Sequence, residues 1–307
     1  MRLPMTSPSL PGESQQHGQE RRRDNVRGAM FMIAAAAAFA ATAALVKALG
    51  DSGVDAFQTV FVRAVVGLLV VGPMLWARRI VPWRSRHMKL HLSRSVSGGL
   101  GVTVGFYAFT VIPLATATAM NFTTPLFITL LAAVVLREQV GWRRWSATIV
   151  GFLGVIVMIQ PGSAAFDPLA LIVLVQALCI AVSVGLVKSF PRAESQLSML
   201  FFTFCSSGLI ALWPAVAGWH MPDLREALLL LGVAFFGIIA QACVLRAYRL
   251  GEASYIAPLS YIRLIFAGLL GVVFFAEYPD IATWIGAAVI IAAAFYTARR
   301  TGGPVGG

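Results

Sequence analysis

Leu45-Val46-Lys47 returns as Leu186-Val187-Lys188, 141 residues later, and Ala108-Phe109 returns as Ala247-Tyr248 at an offset of 139. Glu138, with Trp145 seven residues on, returns as Glu277 and Trp284, again 139 residues later. Between the two copies the chain reads as five membrane spans. Five is odd, so the second copy must run through the bilayer in the opposite sense to the first.

The composition explains why spans are the natural unit. Of 307 residues, 58% are hydrophobic and 12% charged, with a mean hydropathy of +0.80. A soluble domain carries about a quarter charged residues, so half the usual charge is missing. Apolar runs of about 20 residues each suffice to cross a hydrocarbon core of about 30 Å. They predict spans at 28–49, 57–77, 95–112, 115–136, 145–160, 168–187, 197–217, 228–247, 253–275 and 281–298. The predicted fold is an all-α polytopic membrane protein: ten transmembrane helices in two inverted five-helix repeats. The repeats cover 28–160 and 168–298, with tails at 1–27 and 299–307. The first tail is polar, with Pro, Ser, Gln and an Arg triplet, a composition that predicts disorder. The Ala-rich run behind Arg21–Arg27 is too long for a signal-peptide core of about 7–15 residues, so it is expected to be an uncleaved first helix.

The net charge of +11 would suit a nucleic-acid partner only if it formed a patch. Instead it follows the topology. With the N-terminus inside, 20 of the 24 basic residues fall in inner segments, and Arg225 alone falls outside. That bias is the positive-inside rule. It predicts cytoplasmic termini, a lipid bilayer as the surrounding phase, and no nucleic-acid partner. Cys179, Cys205 and Cys243 all fall in apolar spans, and their odd number argues against a disulfide framework.

Three basic residues enter the apolar stretches: Lys47, Arg63 and Arg263. An intramembrane charge costs about 2.5–3.5 kcal/mol on insertion scales and is a functional hypothesis by default. Lys47 stands near the outer end of span one, where its stem can snorkel to the surface. Arg263 is expected near the midplane, where snorkelling is hard. All thirteen Asp and Glu residues are expected between spans or at their ends, so neither arginine has an intramembrane carboxylate. Each must use backbone carbonyls, polar side chains, water or a ligand. An anionic group such as a carboxylate or phosphate fits a guanidinium fork. Asn121, Thr123, Thr124, Gln241, Ser260 and Tyr261 add uncharged polar groups at mid-span depth, and Tyr107, Phe106 and Tyr261 are candidates to stack on a planar ring. The candidate substrate-binding set is therefore Arg263, Arg63, Asn121, Gln241, Tyr261, Thr124 and Tyr107. His17, His87, His91 and His220 are expected outside the spans, which predicts no buried metal site and no histidine relay. Neither an HExxH helix nor a nucleotide-binding P-loop is present in the sequence, so no catalytic residues and no cofactor are expected. Glu138 and Glu277 are the nearest proton-coupling candidates, each at a helix end.

The order of these features resembles the EamA-type drug/metabolite transporter superfamily. The resemblance rests on the inverted halves, an Arg in span two, the Ala-Phe and Ala-Tyr pairs, and the Glu-x6-Trp endings. Trp142 to Met158 and Ala257-Pro258 to Asp280 resemble the branch of S-adenosylmethionine uptake and riboflavin transporters, which is also similar to exporters of opine-type metallophores. The resemblance implies a secondary-active carrier of a small polar metabolite, working by alternating access in the bacterial inner membrane. It also implies a cavity lined by spans one to four and six to nine, with spans five and ten left for packing or a homodimer contact. Arg263 departs from an acidic or neutral position and tilts the expected substrate toward an anionic or zwitterionic metabolite. The alternative readings are a non-transporting scaffold or lipid-modification accessory, and a channel, which spans this apolar do not favour.

Overall fold

No water is available inside a bilayer to bond exposed peptide groups, so an apolar chain must satisfy them within helices or closed barrels. The computed structural model describes residues 11–134, 142–161, 167–187, 190, 194–250 and 257–301, and these residues contain no strand. The helices are α1 (Pro11–Asp51), α2 (Ala56–Ala77), α3 (Met88–Val111), α4 (Leu114–Asn121), α5 (Thr124–Val134), α6 (Trp142–Ile159), α7 (Leu171–Val187), α8 (Gln196–Ala217), α9 (Leu224–Leu250), α10 (Ile262–Phe275) and α11 (Ile281–Thr301), with a 3-10 turn at Ala257–Tyr261 before α10. Among the described residues, six stretches are long and apolar enough to cross a membrane: Asp24–Asp51, Ala56–Ala77, Leu114–Leu131, Pro168–Leu186, Gln196–Ala217 and Leu224–Val244. Shorter apolar helices run over Thr148–Ile159, Leu259–Phe275 and Ile281–Ala293.

Two boundaries differ from the sequence expectation. Helix α1 begins at Pro11, inside the stretch whose composition predicts disorder. Pro11 suits a first helical position, and the Gln, Glu and Arg residues that follow are good helix formers that extend a nucleus supplied by the apolar part of the helix. Helix α3 begins at Met88, so His91 lies within it and is 0% exposed rather than outside the packed region. Glu138 and Lys188, two members of the repeated motif, lie outside the described residues.

Local signals fix the helix ends. Asp55 caps α2 by accepting from the Phe57 N–H at 2.6 Å. Asp280 accepts from the Thr283 N–H at 2.8 Å at the start of α11. Hydrogen bonds from Thr283, side chain first and then backbone, hold the Asp280 carboxyl below its ordinary range.

Helix α1 packs on α9 and α10, α2 on α8, α3 on α7 and α8, α4 on α10, α5 on α7, and α6 on α11. The glycines of α3 make its contact close. A Cβ at Gly105 would stand 2.3 Å from the Gln176 amide nitrogen, and one at Gly99 would stand 2.6 Å from the Ser206 hydroxyl oxygen. Polar glue then reinforces a seam that lipid, being apolar on every side, does not drive together. Ser97 donates to the Cys179 carbonyl at 2.6 Å, Ser183 to the Arg94 carbonyl at 3.0 Å, and Ser206 to the Ser95 carbonyl.

Candidate functional site

Leu114–Leu131 is one apolar stretch but not one helix, because Pro125 has no N–H to give the Asn121 carbonyl four residues earlier. The chain turns at Phe122-Thr123, between α4 and α5. A side chain takes over the freed carbonyl, Thr124 Oγ1 donating to Asn121 O at 2.8 Å, and Thr123 Oγ1 adds a bond to Met120 O at 2.7 Å beside the Thr123 N–H. A 3-10 turn, Ala257–Tyr261, which contains Pro258, leads directly into α10. The break between α4 and α5 faces this turn. The rings of Phe122 and Tyr261 meet edge to face, 4.8 Å apart at 70°. Those two residues are 139 apart, the offset of the repeat, so each touches its own counterpart.

Arg263 is the second residue of α10, just beyond this contact. Its guanidinium carbon lies 5.2 Å from the centre of the Phe122 ring and 5.7 Å from that of Phe39 on α1. Its Nε is buried with no hydrogen-bond partner among the described residues. Arg63, on α2, is held in the same way, 5.5 Å from each of the Phe106 and Phe204 rings of α3 and α8. Phe204 lies 141 residues after Arg63, which is again the repeat counterpart. A Cβ at Gly237 of α9 would come 3.4 Å from Arg63 Nε, so the absence of a side chain there leaves the arginine its space. Among the described residues neither arginine has a carboxylate partner.

Magnitudes show what such cages can do. A desolvated cation–π contact is worth about 2 kcal/mol, so two rings roughly offset the about 2.5–3.5 kcal/mol cost of an intramembrane guanidinium. The rings supply no acceptors. The donors remain available for an anion, to which each charge-assisted hydrogen bond contributes about 1.5–3 kcal/mol.

The other candidates are distributed around this centre. Asn121 and Thr124 border the α4–α5 break, and Tyr261 ends the turn before α10. Gln241 lies on an exposed face of α9. Tyr107 is not drawn to the arginines by any contact among the described residues. It is 37% exposed and its ring tilts toward Phe57 at the start of α2, 6.5 Å away. Phe106 packs on Arg63 instead of presenting a free face. Sequence reasoning missed Phe39 and Phe122. No signal in the sequence marks them, since Phe122 is the repeat counterpart of Tyr261 and Phe39 is that of Ile180 rather than of an arginine.

Lys47 also departs from expectation. It is 9% exposed rather than extended to the surface, and its Nζ lies 2.7 Å from Glu277 Oε1. His91 finds a carboxylate too, with Nε2 3.0 Å from Glu194 Oε1 and its ring between Phe190 and Phe202.

Apolar helices that enclose cations with no carboxylate partner among the described residues fit a multi-pass membrane protein. Comparison with known proteins gives the family. The EamA-like transporter family matches residues 26–160 and again 168–299, and the chain belongs to that family. It is 30% identical over 240 residues to the S-adenosylmethionine uptake transporter of Rickettsia prowazekii, covering 78% of this chain and 82% of that one. It is 31% identical over 281 residues to the riboflavin transporter of Brucella anthropi, covering 89% and 98%. It is 26% identical over 278 residues to the pseudopaline exporter CntI of Pseudomonas aeruginosa, covering 90% and 97%. A solved crystal structure, 20% identical, shares the fold with a TM-score of 0.54 over 88% of this chain and 99% of that one.

Proposed function

We propose that this protein is a secondary-active carrier that moves a small anionic or zwitterionic metabolite across the bacterial inner membrane by alternating access. Its ten spans form two inverted halves, with both termini cytoplasmic. Arg263 neutralises the substrate's charge where the α4–α5 break meets the turn before α10, Arg63 assists, and Asn121, Thr124, Tyr261 and Gln241 orient the ligand. The observation that carries this reading is Arg263, set just after the turn that leads into α10, with Nε buried between two phenyl rings and without a hydrogen-bond partner among the described residues. Helix interruptions near the midplane are where carriers of this kind bind substrate.

The packing supports the inverted halves, because exchanging the halves returns much of the same set of contacts. Helix α1 on α9 becomes α7 on α3, while α2 on α8, α4 on α10 and α6 on α11 return to themselves. The contacts Phe122–Tyr261 and Arg63–Phe204 join a residue to its own counterpart, as happens beside a pseudo-twofold axis. A scaffold would satisfy its buried arginines on backbone carbonyls, and the cage around Arg263 does not.

Among the substrates named for the relatives, S-adenosylmethionine bears a sulfonium cation that two arginines disfavour. Carboxylate-bearing metabolites, the opine type included, suit them better. The test is thermal stabilisation of purified protein by riboflavin, S-adenosylmethionine and a panel of opine-type carboxylates, for wild type and Arg263→Ala. The expected result is that an anionic ligand raises the melting temperature of wild type and leaves Arg263→Ala nearly unmoved. Equal stabilisation of both proteins by the best ligand would overturn the role of Arg263.

A further inference from the structure

Helix α10 is capped by a backbone conformation that L-amino acids rarely adopt. Ala276 has φ 52°, in the left-handed region, and this turns the chain so that the Glu277 N–H returns to the Gly271 carbonyl at 3.1 Å. The turn aims the Glu277 side chain back toward the first half of the molecule. One oxygen lies 2.7 Å from Lys47 Nζ on α1. The other accepts from the Leu114 N–H at 2.7 Å, at the start of α4. Lys47 in turn donates to the Ile112 carbonyl at 3.4 Å and lies 5.6 Å from the centre of the Phe275 ring. The pair is largely enclosed, with side chains 11% and 16% exposed. One carboxylate thus ties α1 and the α3–α4 turn to the α10–α11 turn, and under the topology proposed above all of these lie at the outer face.

We propose that the Lys47–Glu277 pair is the contact that closes the outer face of the carrier, and that a proton taken up by Glu277 from the outer water opens it, making Glu277 the site of proton coupling. Separating the halves with both groups charged strands two ions in a poorly solvated place. A protonated Glu277 leaves Lys47 a single cation at the end of its helix, where its stem can reach water. The proposal rests on the carrier reading, because the outer face has to open only if access alternates.

Other charged groups near the pair do not replace Glu277. Asp280, on the same turn, is committed to Thr283 and to the Gln160 amide at 2.9 Å, and Asp51 and Asp55 at the neighbouring helix ends are exposed. Two histidine–carboxylate pairs, His91–Glu194 and His220–Glu226, lie elsewhere in the molecule, so the test must isolate Glu277.

Ala43 lies one turn below Lys47, 3% exposed, in a buried cluster with Leu114 and Ala267 that forms the seam between α1 and α10. A Cys at this position, with Cys179, Cys205 and Cys243 replaced by Ala, reports opening. Its rate of labelling by a membrane-impermeant maleimide is measured in right-side-out vesicles at neutral and acidic external pH. Expressed relative to an exposed reference cysteine labelled at the same pH, which corrects for the loss of thiolate in acid, labelling should be slow at neutral pH and speed up about tenfold in acid, a change worth about 1.4 kcal/mol. Glu277→Gln keeps an acceptor for the Leu114 N–H but removes the charge, so it should label fast at both pH values. A rate in the parent protein that does not change with pH overturns the coupling role without any Glu277 variant. A pH response that survives in Glu277→Gln overturns it as well. Because the readout needs no substrate, its failure is distinct from failure of the carrier reading, which would appear as pH-gated labelling with no transport.

Discussion

Replacing Phe122 by Leu tests the idea that phenyl rings, rather than hydrogen bonds, hold Arg263 until a ligand arrives. Phe122 is 7% exposed and touches both the guanidinium (5.2 Å) and Tyr261 (4.8 Å). Losing the desolvated cation–π contact costs about 1–2 kcal/mol, losing the edge-to-face pair about 0.5–1.5 kcal/mol, and trimming the buried ring to Leu about 1 kcal/mol. Phe127→Leu is the control. It breaks an edge-to-face pair with Phe152, 5.1 Å apart at 78°, and no cation contact of Phe127 occurs among the described residues. The difference between the two variants isolates the cation at about 1–2 kcal/mol, or about 2–4 °C in melting temperature for a chain somewhat larger than 250 residues. The assay is thermal unfolding in detergent with and without the best anionic ligand. Without ligand, Phe122→Leu should melt below Phe127→Leu by that margin. With ligand the anion replaces the lost ring, so the ligand-induced shift should be larger in Phe122→Leu than in wild type. Equal melting of the two apo variants would refute the cage. A smaller ligand shift in Phe122→Leu would refute its replacement by an anion and would mean that the ring touches substrate directly.

Three further outcomes concern the frame around the site. Gly286→Ala places a Cβ 2.6 Å from the Gly154 carbonyl and 2.2 Å from Met158 Cγ, so α6 and α11 must move apart. A loss of about 1–3 kcal/mol is expected, read as a lower melting temperature. At Gly72 of α2 nothing lies within 4 Å of the added atom, so Gly72→Ala should be neutral or stabilising by up to about 1 kcal/mol. The folded Asp280 carboxyl sits below its ordinary range because Thr283 bonds to it. Its contribution is therefore present in full above that range and is lost as pH falls through the lowered value. Asp280→Asn should melt lower than wild type near neutral pH and converge with it in strong acid. A constant gap across pH would show that Thr283 does not hold the carboxylate.

The candidate residues were legible along the chain, and their contacts were not. Arg263 stood out because a charge in an apolar run is costly anywhere, a cost that depends on composition alone. Asn121, Thr124 and Tyr261 stood out with it as uncharged polar groups at mid-span depth. Tyr107 was selected by depth, and depth does not say which way a helix faces. In α3 it turns toward Phe57, while its neighbour Phe106 receives Arg63. His91 was discounted because the polar start of α3 reads as a loop, although Glu194 and two phenyl rings give it a buried place.

By itself the sequence determined the phase in which this protein resides, its helical backbone and the recurrence of one motif in two registers. All three follow from apolar run length, the need to satisfy peptide groups without water, and simple repetition. Only the tertiary structure decided which faces meet: Lys47 with Glu277, Arg263 with Phe39 and Phe122, Arg63 with Phe204. The physical reason is that lipid is as apolar as the residues it touches, so a helix within it carries little amphipathic record of its buried side. Partners hundreds of residues apart are then selected by close packing and by the few polar groups that need one another.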